Sequence, residues 1–147
     1  MKAPATLRER ALRLLARREH SRAELRRKLA PHAESAEALE ALLADLVQRK
    51  LLSETRFAEG RARVLSRKYG AARIEQDLRA RGIPQDAAEA AAREARGTEF
   101  ERALDIWRRK FGAQAKDIRE RARQARFLAS RGFSAEVVSR VLRHGEK

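Results

Sequence analysis

The sequence contains no cysteine, so a disulfide scaffold, a thiolate zinc site and a cysteine nucleophile are all excluded. It has only three prolines and seven glycines, dispersed as punctuation with no glycine-rich phosphate loop. Valine, isoleucine and threonine together number 12 of 147 residues, which leaves little material for strands. No apolar run approaches the length of a membrane span. The opening MKAPATLRER has no apolar stretch, so no secretory leader and a cytoplasmic address are expected. The three histidines, His20, His32 and His144, form no metal-ligating pattern. Glu75 and Asp77 would point to different sides of a helix, and no carboxylate pair has the spacing of an acid–base couple. The chain is therefore expected to be no enzyme and to hold no cofactor, metal or catalytic residue.

What is abundant is alanine, arginine, leucine and glutamate, all strong helix formers. Lys and Arg number 35 against 21 Asp and Glu, a net charge of +14, and 28 of the 35 are Arg. Leu, Ile, Val and Phe make up only 31 residues, so any core must be thin and assembled from small units. Helix signals recur along the chain. Ser21 with Glu24, and Thr98 with Glu101, have the spacing of capping boxes. Ser35 and Ser134 precede further apolar stripes, and Pro31, Gly82, Gly97, Gly112 and Gly132 mark stops. Glu54 to Lys68 reads as one helix, Phe100 to Phe111 as another, and a longer one carries Ile118, Ala122, Ala125 and Ala129.

These helices repeat. Arg67-Lys68-Tyr69-Gly70 matches Arg109-Lys110-Phe111-Gly112 at an offset of 42, and His20 falls at the same place in the first unit. Ser21 to Leu29 matches Gly70 to Leu78 at an offset of 49, and Arg81-Gly82-Ile83 matches Arg131-Gly132-Phe133 at an offset of 50. The expectation is an all-α, elongated, curved tandem of three three-helix repeats, over 5–52, 53–97 and 98–147, with about nine helices. The positive charge is spread over all three units, which fits a long acidic partner.

In its middle the chain carries Tyr69-Gly70, Arg73-Ile74, Leu78 and Arg81-Gly82-Ile83. Near its end it carries Lys110-Phe111, Arg126-Phe127-Leu128 and Arg131-Gly132-Phe133. With Arg22-Ala23-Glu24-Leu25, Leu29, Leu51-Leu52-Ser53-Glu54 and Phe57-Ala58, these residues give a pattern over roughly 7–143 that resembles the bacterial RecX regulators of recombination. The resemblance implies an all-helical regulator of DNA repair, recombination and the SOS response. It would bind the RecA recombinase filament on single-stranded DNA in its groove and inhibit its ATPase, strand exchange and coprotease activities. Repeat equivalence and charge nominate Arg67, Lys68, Tyr69, Arg73, Arg81, Arg108, Arg109, Lys110, Arg126 and Arg131 as filament or DNA contacts. The six larger aromatics Phe57, Phe100, Trp107, Phe111, Phe127 and Phe133 sit at core-compatible positions, so phosphate and protein contacts are expected over base stacking. A monomer is expected. Two other readings stand beside this one: a helix-turn-helix transcription factor, and a helical adaptor with non-specific nucleic-acid affinity.

Overall fold

The computed structural model describes residues 3–144, and all regular structure within them is helical. The first unit holds α1 (Leu7–Arg17), α2 (Arg22–Leu29) and α3 (Ala36–Gln48). The second holds α4 (Glu54–Leu65), α5 (Ala71–Ala80) and α6 (Gln85–Arg96). The third holds α7 (Glu99–Lys110), α8 (Ile118–Ser130) and α9 (Ala135–Arg143). Each unit closes on its own small core. Leu25, Leu29, Leu43 and Leu46 lie at the centre of the first, Ile74, Leu78 and Ile83 of the second, and Trp107, Leu128, Phe133 and Val141 of the third. In the second unit Ala88, Ala91, Ala92 and Ala95 line one face of α6, and their small side chains let that helix pack closely on α4 and α5.

Local signals decide most helix starts. The hydroxyls of Ser21, Ser35, Ser53 and Ser134 each accept from the amide three residues on. Two of the expected capping boxes are corrected. At Ser21 only the forward half forms, because the Glu24 carboxylate is held by the Arg18 guanidinium at 2.6 and 3.0 Å instead. A forked, charge-assisted pair outcompetes a single neutral amide. Thr98 does not cap at all: its hydroxyl donates to the Ala95 carbonyl and accepts from Arg102 Nε at 3.0 Å. Pro31 lies inside a 3₁₀ turn, Ala30–His32, that extends α2, and α4 ends three residues before Lys68. Ile118 is 86% exposed at the first position of α8, whose buried face is carried by Gln124 and Leu128. Val64, an apolar residue of α4, also faces outward.

The units are joined by one device used twice. The α8–α9 turn, with Gly132 at φ +90°, packs on the start of α5. A Cβ on Gly132 would lie 2.3 Å from the Arg73 Cβ, and one on Gly70 would lie 2.4 Å from the Gly132 carbonyl oxygen. The α5–α6 turn, with Gly82 at φ +86°, packs in the same way on Ala23 at the start of α2. Both turns present a carbonyl to the preceding unit: Gly70 N–H donates to Arg131 O at 2.7 Å, and Ser21 Oγ donates to Arg81 O at 3.5 Å. The matches near offsets of 49 and 50 in the sequence are thus the two halves of a repeated joint.

Candidate nucleic-acid interface

Half of the arginines of the first two units are internally neutralised. Arg8 and Arg49 meet Asp45, Arg18 meets Glu24, Arg26 meets Glu40, Arg56 meets Glu19, and Arg61 and Arg81 share Asp77. Part of the charge that survives is concentrated in one place. Among the described residues Arg67, Lys68, Arg73, Lys110, Arg126 and Arg131 have no acidic partner, and they gather around the joint between the second and third units.

That joint is built on the α4–α5 linker. Its carbonyls are claimed by arginines of the third unit. Arg102, from α7, donates through Nη1 to Ser66 O at 2.7 Å and Tyr69 O at 2.6 Å, and through Nη2 to Ala95 O at 2.7 Å. Burial pulls the pKa of Arg102 down from its ordinary value, but an arginine stays charged at neutral pH. Arg131 Nη1 donates to Lys68 O at 3.3 Å, and Arg73 Nη1 donates back to Ser130 O at 2.9 Å. The buried Glu99 carboxylate accepts from the Ala71 amide at 2.7 Å, a cap for α5 supplied by another unit.

With the linker held, its side chains line up with those of the third unit. The Arg73 guanidinium lies 4.6 Å from the centre of the Tyr69 ring. The Arg131 guanidinium sits between two rings, 5.7 Å from Tyr69 and 5.0 Å from Phe127. Lys110 Nζ is 5.3 Å from Phe127, and Phe127 meets Phe111 edge to face at 5.5 Å. Arg123 lies 5.7 Å from Phe111 and extends the row. Cations and rings alternate in one strip across the joint. Each cation is held by a ring face, without a carboxylate that would cancel its charge. Such a strip offers forked donors to a phosphodiester chain at low ordering cost, because the guanidiniums are already placed.

The nominated residues divide accordingly. Tyr69, Arg73, Lys110 and Arg131 come together in the strip; exposed Arg67 and Lys68 flank it on the linker, and exposed Arg126 adjoins it beside Phe127 on α8. Arg81 does not join them: it is the repeat counterpart of Arg131, but its guanidinium is tied to Asp77 at 3.0 Å. Arg109 pairs with Asp105, and Arg108 approaches the His144 ring. The residues not nominated from sequence are Phe111 and Phe127, assigned to the core but only partly buried, and Arg123. Among the described residues no group of His, Asp or Glu side chains is gathered to hold a metal ion, and no helix is long and apolar enough to cross a membrane.

Family models match each unit in turn: the first three-helix domain of RecX over residues 8–46, the second over 53–91 and the third over 98–142. The chain belongs to the RecX family. It is 51% identical over 138 residues to the regulatory protein RecX of Leptothrix cholodnii, covering 94% of this chain and 88% of that one. It is 48% identical to the RecX of Ralstonia nicotianae, with 95% and 87% covered, and 44% identical to that of Neisseria meningitidis serogroup C, with 98% and 94% covered. In fold it is similar to the crystal structure of RecX from Lactobacillus salivarius, at a TM-score of 0.82 over 95% of this chain and 94% of that one, with 17% sequence identity. The three-unit RecX architecture thus supplies the frame on which the strip is mounted.

Proposed function

We propose that this protein is a negative modulator of a RecA-type recombinase in the cytoplasm. In this reading it acts as a non-enzymatic monomer, lies on the recombinase filament formed on single-stranded DNA, and lowers ATP hydrolysis, strand exchange and coprotease activity. The observation that carries the reading is the strip of uncancelled cations and rings across the second joint, mounted on a RecX frame. It suits an extended phosphate chain better than a compact ligand, because its donors are spread over two units. The strip supports phosphate contact over base stacking, since its ring faces are already occupied by guanidinium and ammonium groups. A sequence-reading helix-turn-helix factor is disfavoured. The helix after Gly82 is α6, and its Ala88, Ala91, Ala92 and Ala95 are buried in the second core, away from any base edge.

The test is DNA-dependent ATP hydrolysis by the recombinase on single-stranded DNA, titrated with this protein and with the triple variant Arg67→Glu, Lys68→Glu, Lys110→Glu. These side chains are exposed and make no ion pair among the described residues, so the fold should hold. The wild type is expected to inhibit, and the variant to need at least about tenfold more protein for the same inhibition. Equal inhibition by both would remove the strip from the mechanism. No inhibition by the wild type, with DNA binding retained, would leave the adaptor reading in its place.

A further inference from the structure

The first unit carries a second uncancelled basic site that the repeats do not mark. Between α1 and the end of α2 lies a cleft of about 340 Å³. Arg10, Arg13, Arg17, Lys28 and His32 wall it, Leu14 and Leu29 form its floor, and no carboxylate lines it. Arg10, Arg13 and Arg17 have no ion-pair partner among the described residues; Lys28 approaches His20 Nε2 at 3.1 Å and Glu24 at 3.7 Å. The three arginines follow helical spacing, so they stand in a row on one face of α1 that spans two turns, about 10 Å. The larger groove between the first and second units is different. There Arg18, Arg56 and Arg61 are already spent on Glu24, Glu19 and Asp77.

The occupant follows from what the cleft offers. Its wall is cationic over two helical turns, which calls for a row of negative charges. Its floor is aliphatic and it has no Phe, Tyr or Trp, so an apolar floor lies beneath a cationic wall, which matches a chain that carries carboxylates and an aliphatic side chain together and sets it apart from the ring-bearing strip at the second joint. We infer that the α1–α2 cleft is a docking site for an acidic protein segment that presents an aliphatic side chain to the partly buried Leu14, backed by Leu29 in the core beneath, while its carboxylates meet Arg10, Arg13 and Arg17. The molecule then has two separate anionic contacts of different chemistry, phosphodiester at the second joint and carboxylate in the first unit. This assignment does not depend on the recombinase reading.

The probe is a short fluorescein-labelled peptide of Asp and Glu with one central Leu, compared with the same peptide carrying Ser for Leu and with oligothymidylate. The variant is Arg10→Glu, Arg13→Glu, Arg17→Glu. Each exposed ion pair contributes modestly, so the three together are expected to cost about tenfold in peptide affinity. Oligothymidylate affinity and the melting temperature should stay unchanged. The Ser peptide should bind the wild type more weakly than the Leu peptide. Backbone amide shifts of the wild type on peptide addition should concentrate in 10–17 and 28–32, a readout that holds even if the variant proves unstable. Absence of peptide binding, shifts centred elsewhere, or an equal loss of oligothymidylate affinity in the variant would each overturn the assignment; the last would merge the cleft with the nucleic-acid surface.

Discussion

His20 stands where the other units place Tyr69 and Phe111, but it is wholly buried. Its Nδ1–H donates to the Arg18 carbonyl at 3.0 Å, and its Nε2 faces the Lys28 ammonium at 3.1 Å. The second contact needs a neutral imidazole, because Nε2 must accept from the ammonium. Burial, with the Arg18 and Lys28 charges nearby, holds its pKa below the ordinary value against the opposing pull of the Arg18 carbonyl bond and Glu24. The unfolded chain therefore takes up this proton first, and stability falls as pH drops through the ordinary histidine range near about 6.5. Glu24 adds a second step. Its bidentate bond to Arg18 holds its carboxyl at about 2, so its contribution is present above the ordinary glutamate range and is lost as pH falls towards 2. Thermal melts across pH should show two declines in stability, with His20→Gln removing the upper one and Glu24→Gln reducing the lower, to which Asp77, Asp45 and Glu40 also contribute through their arginine partners. A single decline unaffected by His20→Gln would mean that the imidazole is not neutral in the folded chain. The position of His20 is legible in the repeat register, whereas its hydrogen-bond partners appear only once α2 folds back on the end of α1.

Among the elements, the α4–α5 linker shows best what a local reading reaches. Its start and end are readable: α5 begins after Gly70, and the left-handed stops at Gly82 and Gly132 follow from glycine at helix ends. The left-handed residue after α3 is Lys50, at φ +62°, and no glycine announces it. What holds the linker is not readable, because its partners are distant in sequence: Ser66 and Tyr69 are bonded by Arg102, and Ala71 by Glu99, 28 residues away. Glu99 looks like an ordinary first-turn acid and Arg102 like one more surface cation. Arg102→Ala should strand three carbonyls and cost about 3 kcal/mol in denaturant unfolding. Hydrogen exchange should speed up in residues 66–71. Arg102→Lys should not restore either, since one ammonium cannot reproduce the planar fork. Wild-type unfolding and exchange in Arg102→Ala would show the clamp to be dispensable.

At the scale of the whole molecule, internal pairing cancels cations and carboxylates one for one, so the net charge of +14 survives folding and is distributed over unpaired cations, of which the strip holds a part. About six of the unpaired cations lie around the strip, and if they meet phosphates the single-strand affinity should fall with salt at a log–log slope of about −4. A slope near −1 would show that the strip does not track a phosphate chain. Three units and their order were legible, since thin apolar stripes and punctuation recur at near-constant intervals. The strip was only half legible. Its cations were nominated by repeat equivalence, but helical spacing alone sends Phe111 and Phe127 into the core, and it cannot show that the outer faces of their rings remain open to Lys110, Arg123 and Arg131.

Arg131 has two duties. Its carbonyl and guanidinium fasten the α8–α9 turn to the linker, and the same guanidinium lies between the rings of Tyr69 and Phe127. The strip therefore exists only while the second and third units are docked, and docking and ligand binding become a linked equilibrium. A ligand lying across the strip must tighten the joint by as much free energy as joint closure adds to its own affinity. Loosening the joint anywhere, even at Glu99 on its buried side, would then be felt as weaker affinity at a surface that residue never touches.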